Sequence, residues 1–369
     1  VSPKTGGFQW VDQMIPTIVY SDEIKGYDFG PGHPFRSDRY SNFMNLLRAK
    51  VDAHRELQPR CASDDELALV HDRSYIRDLM AASDGAWTAS YTYMSPDTPL
   101  QPGMERAARF IVGASMTAAE LVWKSGVAHA VGVGGGLHHA RSNYAAGFCI
   151  YNDVAICALN LLENHGLERV LILDTDAHAG DGTCHIFYQE PRVLLIDLHQ
   201  DPRTLYPGTG FAHEIGEGKG KGFTVNVPMP PGASDQAYEY ALDQIFAPLA
   251  GEFQPQIIIR NGGSDPHFAD ELTDLGVTMN GFYMIGRKVK EVAEHVCGGR
   301  RVDLLGSGYN QTVLPVAWLA LVAGCADLDL DFKEPFLFPL RKDSGLSETK
   351  QAVEEVKKNL KSYWRCFGR

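Results

Sequence analysis

The chain has 369 residues, 44% of them hydrophobic and 22% charged, with a formal net charge of −12. That length suits one large domain or two ordinary ones, and that apolar fraction fills a core, which excludes a disordered class. No segment has the apolar length to cross a bilayer and no basic patch suits nucleic acid, so neither a membrane nor a direct nucleic-acid partner is expected.

Val1 to Trp10 lacks the basic-then-apolar order of a secretory signal, although a processed terminus stays open. Pro16–Tyr20 reads as a first strand and Gly30–Arg36 as a turn-rich loop. A helix is expected from about Asp38 to Arg55, with Phe43, Leu46, Leu47 and Val51 on one face. The apolar run Leu67–His71 suggests a short strand, and Tyr75, Ile76 and Leu79 mark a helix after it. Asp84–Pro102 has no period and reads as a loop. Met104–Lys124 is an Ala-rich amphipathic helix, and Ala128–Val133 a strand that ends in Gly134-Gly135-Gly136-Leu137-His138-His139. Helix Asn152–His165, strand Arg169–Leu173, strand Val193–Leu198 and strand Phe223–Val227 follow. Next come helix Ser234–Phe253 with Ser234 as N-cap, strand Ile257–Ile259, helix Asn280–His295, strand Val302–Leu305 and helix Val313–Val322. Val353, Val356, Leu360 and Trp364 recur at helical spacing, so Ser347–Trp364 should pack as a last helix, with 341–369 docked on the single domain 1–369. The seven cysteines, Cys61, Cys149, Cys157, Cys184, Cys297, Cys325 and Cys366, are scattered without a Cys-x-x-Cys pair. That points to free thiols in a reducing compartment: cytoplasmic, or nuclear in a eukaryote.

Alternating strands and helices argue an α/β fold with a mainly parallel sheet. The polar groups gather at strand ends: His138 and His139, Asp174 to Asp181, His199, Asp265 and Tyr309. In such sheets that edge is where ligands bind, so one site in one domain is expected. Its centre is Asp174-Thr175-Asp176-Ala177-His178-Ala179-Gly180-Asp181. A buried strand end cannot hold three carboxylates and an imidazole without partners, because an unpaired buried carboxylate is strongly unfavourable. A cation answers that need. Asp176 and His178, two apart, would point to one side of an extended backbone. With Asp265 they make a two-carboxylate, one-imidazole set that leaves open positions on a divalent ion, as a catalytic zinc site does. Iron(II) or cobalt suits the same donors.

The motifs as a group resemble the zinc-dependent histone deacetylase superfamily, which includes acetylpolyamine amidohydrolases and acetoin-utilisation proteins. They are Gly32-His33-Pro34, Gly135–Ala140, Gly147–Asp153, Asp174–Thr183, Tyr206–Gly210, Asn226–Pro228, Gly262–His267 and Gly306–Asn310, in family order over most of the chain. The resemblance implies the arginase–deacetylase fold, a single domain with a sheet of about eight strands between helical layers. It implies Asp176, His178 and Asp265 as metal ligands, His139 as general base oriented by Asp181, and His138 as an electrostatic partner oriented by Asp174. Tyr309 becomes the donor to the oxyanion. Phe148 and Tyr206 wall a narrow tunnel, Gly147 offers a carbonyl to the substrate amide, and Leu272 lies on the tunnel. A structural potassium ion would use Asp174, Asp197, Leu198 and backbone oxygens of Asp176 and His178. A second cation would use Phe187, Val193 and Phe223. The implied activity is removal of acetyl groups from N-acetyl-lysine side chains or related acetylated amines, with release of acetate.

Several positions depart from the family pattern. Ala179 stands where many relatives have a second His, Asp181 where many have Asn, and Asp197 where many have Ser. The acidic residue at the rim is not clearly placed, and Asp97 is the candidate for it. Glu271, beside Leu272, could favour a polyamine if it turned inward, so acetylpolyamine amidohydrolase is the alternative activity. A binuclear manganese ureohydrolase would need carboxylates where this chain has Gly180 and His267. A non-enzymatic acyl-lysine binder would be expected to lack a ligand, a His or the Tyr, and none is lost. Sequence leaves substrate and oligomeric state open.

Overall fold

The computed structural model describes residues 15–85, 93–337 and 345–368. The readings for Val1–Trp10, for part of the Asp84–Pro102 loop (86–92) and for 341–344 lie outside these residues. Within them the chain runs β1 (Thr17–Val19), α1 (Asp38–Lys50), β2 (Arg55–Leu57), α2 (Asp64–Leu67), α3 (Arg73–Ser83), α4 (Met104–Lys124) and β3 (His129–Val133). It continues through α5 (Asp153–His165), β4 (Val170–Asp174), α6 (Asp181–Phe187), β5 (Val193–Gln200) and β6 (Thr224–Met229). The last elements are α7 (Asp235–Ala241), α8 (Ala247–Phe253), β7 (Ile257–Gly262), α9 (Met279–Cys297), β8 (Arg301–Leu305), α10 (Leu314–Ala326) and α11 (Leu346–Leu360).

Eight strands form one sheet in the order β2-β1-β3-β8-β7-β4-β5-β6, and every pairing is parallel. Both faces are covered, as the near-continuous apolar runs require. Leu171 and Leu173 of β4 point into one core layer with Ile196, Val225 and Ile258, packed by α1 and α7 to α11. Val170 and Ile172 point into the other with Leu195, Ile259 and Val302, packed by α4 and α5. Each such buried side chain contributes about 1.5–3 kcal/mol. The chain passes from β3 through α5 to β4, leaving a gap that β7 and β8 later fill. The carboxyl ends of β3, β8, β7 and β4 therefore converge, and the residues that follow them are the ones the motifs single out.

Some elements differ from the sequence reading. The first helix stops at Lys50, and Arg55–Leu57 becomes edge strand β2, exposed, paired through its backbone to β1 and with Glu56 held by Arg48 at 2.6 Å, so no apolar pattern marks it. Leu67–His71 is no strand. A capping box between Ser63 and Glu66 starts α2 there, and the apolar residues close its last turn. Helix α6 was hidden by the motif's glycines and polar residues. Strands β5 and β7 run on to Gln200 and Gly262, because buried polar ends still pair. Ser234 occupies the N-cap without a side-chain capping bond, and a π turn at Leu242–Phe246 interrupts the predicted Ser234–Phe253 helix. The C-terminal helix ends at Leu360, and Trp364 packs beyond it with its indole N–H on the Gly222 carbonyl at 2.7 Å. All seven cysteines are free thiols. No helix among the described residues is long and apolar enough to cross a membrane.

Candidate active site

Strand β4 ends at Asp174, so Asp176 and His178 lie on a bent loop and not on extended strand. The strand-alternation argument for their shared direction is therefore wrong, yet they converge. The Asp176 N–H bonds back to Asp174 Oδ1 at 3.1 Å and the His178 N–H to Asp176 Oδ1 at 2.8 Å, and these local side-chain turns curl the loop. His178 Nδ1 then stands 3.1 Å from both Asp176 Oδ1 and Asp265 Oδ2. All three groups are buried, and their donor atoms lie within 4.8 Å of one another. Asp265 follows β7, and Ser307 donates to its other oxygen at 2.8 Å. Burial and the neighbouring Asp176 push the Asp265 carboxyl up to about 8, while His138 and His178 hold Asp176 well below its usual range despite its burial. Two buried carboxylates and an imidazole turned on one point fit a divalent ion and leave coordination positions open.

The paired histidines follow β3. His138 Nδ1 bonds Asp174 Oδ2 at 2.8 Å and His139 Nδ1 bonds Asp181 Oδ1 at 2.8 Å, while their Nε2 atoms face each other at 3.1 Å. Each carboxylate thus fixes an Nδ1–H tautomer. Burial opposes charge on His138, but Asp174 and Asp176 outweigh it and raise the ring to about 10. Burial and the neighbouring His138 keep His139 below its ordinary value. The two rings are consequently unlike: one favours the cation, the other neutral imidazole. Asp181 is placed by the start of α6, where Gly182 is pressed against the backbone; a Cβ there would come within 2.4 Å of the Ala140 carbonyl.

Beside His178 is a cavity of about 190 Å³ lined by Asp97, His139, Gly147, Phe148, His178, Leu205, Tyr206, Leu272 and Tyr309. All four residues expected on the tunnel line it, as does the rim candidate Asp97. Tyr309, 8% exposed, meets Phe148 edge-on at 5.8 Å between ring centres. Tyr206 meets His139 edge-on at 5.1 Å. Phe148 has φ +66°, in the left-handed region that costs a bulky residue roughly 1–3 kcal/mol. Tyr27 donates to its carbonyl at 2.7 Å, and its own N–H donates to Thr98 at 2.9 Å. Glu271 is exposed and does not line the cavity.

The other implied residues fall around this centre. Asp197 and Leu198 lie on β5 beside Asp174; Asp197 accepts from His199 at 2.7 Å and from the Gly180 N–H at 2.8 Å. The Tyr238 hydroxyl is buried without a hydrogen-bond partner among the described residues, and burial and the carboxylates Asp265, Asp176, Asp197 and Asp174 push its pKa up. The Phe187 and Phe223 carbonyls accept backbone N–H bonds from Glu190 and Leu195, and Val193 begins β5. His267 is buried on Glu334 at 3.0 Å and is far from offering a second carboxylate. A further buried group of possible ligands, His129, Asp303 and Cys325, is already spent: Asp303 is paired with Arg260 at 2.5 Å and with His129 at 2.7 Å.

Sequence reasoning missed the supports. Arg141 holds the second oxygen of Asp181 at 2.9 Å, and Asn261 donates to Asp174 at 2.9 Å. The Asn261 signal was present, since an amide in the buried run Ile257–Gly262 needs a partner. Nothing in the sequence pointed to Arg141, whose partner is 40 residues away.

A model of the histone deacetylase domain matches residues 33–325. The chain belongs to the histone deacetylase family. A protein of Archaeoglobus fulgidus named "Probable deacetylase" is 37% identical over 366 residues, covering 96% of this chain and 100% of that one. The acetoin utilization protein AcuC of Bacillus subtilis is 38% identical over 308 residues, covering 82% of this chain and 79% of that one. A solved structure, the crystal structure of the HDA15 HD domain, matches with a TM-score of 0.83 at 27% identity over 96% of each chain. Within this deacetylase family the parallel eight-stranded sheet is the arginase–deacetylase fold.

Proposed function

We propose that the chain is a metal-dependent amidohydrolase that removes acetyl groups from N-acetyl-lysine side chains or related acetylated amines and releases acetate. The observation that carries this reading is the cavity, whose walls are aromatic and whose floor joins His178 to His139 and Tyr309. Aromatic walls accept an uncharged methylene stem without leaving polar groups unpaired. A zinc ion, or iron(II) or cobalt, held by Asp176, His178 and Asp265 would supply a Lewis acid and activate water near neutral pH.

The chain's own groups do the rest. His139 lines the cavity and His138 does not, which supports His139 as the base that takes the water proton and returns it to the leaving amine. His138 adds positive charge behind it. The Tyr309 hydroxyl donates to the acetyl oxygen as that oxygen gains charge. We assign the Gly147 carbonyl, which also accepts from the Cys149 thiol at 3.2 Å, to the substrate N–H, and Asp97, which lines the cavity, to the rim. Asp174 and Asp197, side by side on β4 and β5, suit a structural potassium ion together with Leu198 and the backbone oxygens of Asp176 and His178.

Acetate release from acetyl-lysine peptides and from acetylpolyamines by zinc-loaded protein tests the assignment. No acetate from either, with metal bound, overturns it. A large kcat/KM preference for acetylpolyamine would make that the activity instead.

A further inference from the structure

We propose that Asp270 is a positioning residue for Tyr309: its carboxylate staples the loop that carries the oxyanion donor to the loop that carries Asp265 and Leu272. The inference rests on the deacetylase reading of the site. Asp270 Oδ2 accepts from the Tyr309 N–H at 2.8 Å, and Oδ1 accepts from the Leu272 N–H at 3.0 Å. A second bond joins the same loops one residue along each, from the Asn310 side-chain amide to the Ala269 carbonyl at 2.8 Å. Asp270 is 9% exposed; burial raises its carboxyl pKa, and the Leu272 and Tyr309 N–H groups, with His178, pull the other way, so these bonds are made by a buried acceptor with little competing solvent.

The staple acts on the Tyr309 backbone, whereas the Tyr309 ring is held by packing, with the Arg39 guanidinium 5.6 Å from its centre. Its hydroxyl makes no hydrogen bond among the described residues, and its ring is held by packing against Phe148 and His178. The residues before it are Gly306, Ser307 and Gly308, the last at φ +118°, a stretch with little stiffness of its own. Arg39 anchors the Gly306 carbonyl at 2.7 Å and Trp318 the Ser307 carbonyl at 3.0 Å. The bond on Tyr309 itself comes from Asp270. One carboxylate therefore ties the backbone of the oxyanion donor to the turn Asp270–Leu272. Asp270→Asn keeps one acceptor oxygen and replaces the other with a donor, so one of the two N–H groups loses its partner.

Two measurements test this. First, steady-state kinetics and metal content are compared for the parent, Asp270→Asn, Tyr309→Phe and the double variant, on an acetyl-lysine peptide. The expected result is a kcat lower by roughly ten- to a hundredfold in Asp270→Asn, as a displaced catalytic group produces, with KM and metal stoichiometry near parental. In the Tyr309→Phe background the same change should alter kcat by no more than about twofold, because the two act through one group. Equal losses in both backgrounds, or none in the first, overturn the proposal. Second, amide hydrogen exchange is followed in the parent and in Asp270→Asn. The Tyr309 and Leu272 amides should be protected in the parent and exchange faster in the variant, with the sheet amides unchanged. A Tyr309 amide that exchanges like open loop in the parent also overturns the proposal. The exchange measurement needs no turnover, so a metal-loaded parent that releases no acetate refutes the deacetylase reading separately.

Discussion

His139 and Arg141 hang on one carboxylate: the ring Nδ1 meets Asp181 Oδ1 at 2.8 Å and the guanidinium Nη2 meets Oδ2 at 2.9 Å. Asp181 thereby fixes the His139 tautomer, and Arg141 keeps Asp181 from turning. Asp181→Ala should lower kcat roughly 10–100-fold, as loss of the outer partner of a site histidine does. Arg141→Ala should cost far less in stability, under about 1 kcal/mol, because its side chain is 46% exposed. Kinetics and thermal melts of both variants check this, and a parental rate in Asp181→Ala would remove Asp181 from the role.

Metal removal should destabilise as well as inactivate. Without an ion, the buried Asp176 and Asp265 would face each other around His178. An ion that binds only the folded state adds about 2.7 kcal/mol at a free concentration 100 times its Kd. Calorimetry should show a lower Tm for chelated protein, restored by zinc, and Asp265→Ala should lose both the response and the metal. Full turnover in demonstrably metal-free protein would sink the mechanism.

What sequence showed and what it hid divide along physical lines. The buried strands announced themselves because parallel strands covered on both faces read as unbroken apolar runs, as in Val193–Leu198 and Ile257–Ile259. The site residues were legible because charge at a buried strand end demands a partner, and Asp174, Asp176 and His178 crowd one such end. Strand β2 was illegible, since Arg55-Glu56-Leu57 is exposed, carries no apolar alternation, and is placed by backbone pairing and by the Glu56–Arg48 ion pair. The supports were illegible for a different reason. Arg141 and Asp270 act across loops, and nothing local distinguishes either from a solvated surface charge. Asp176 and His178 converge through a geometry other than the one expected: local turns, not strand alternation, bring them together.

Tyr309→Phe removes one hydroxyl and keeps the ring that packs on Phe148. Loss of one oxyanion donor typically costs roughly two to three orders of magnitude in rate. The expected result is that fall in kcat with KM changed much less, since the hydroxyl gains its partner only as the acetyl oxygen gains charge. Turnover at the parental rate would show that Tyr309 does not hold this role.

The last prediction concerns stability in acid. Asp303, on β8, is buried between Arg260 of β7 and His129 of β3. Burial alone would raise its carboxyl pKa, but Arg260 and His129 outweigh it and hold it well below the usual range. Burial lowers His129, against the pull of Asp303. Its Nδ1 is buried with no partner, which suits a neutral ring that donates from Nε2. Both depressed values act in one direction. Below about pH 6.5 the unfolded chain protonates His129 while the folded chain resists, and below about pH 3.9 it protonates Asp303 while the folded carboxylate stays charged. In each window the unfolded state binds more protons, so stability falls as pH falls. Denaturant midpoints should therefore drop between pH 7 and 5 in the parent, and drop less in His129→Gln, the difference isolating this ring from other titrating groups. Arg260→Leu strands the Asp303 charge and should cost about 3–5 kcal/mol at neutral pH. Identical pH slopes for parent and His129→Gln, or an unchanged midpoint in Arg260→Leu, would show that these buried charges do not couple folding to protons in this way.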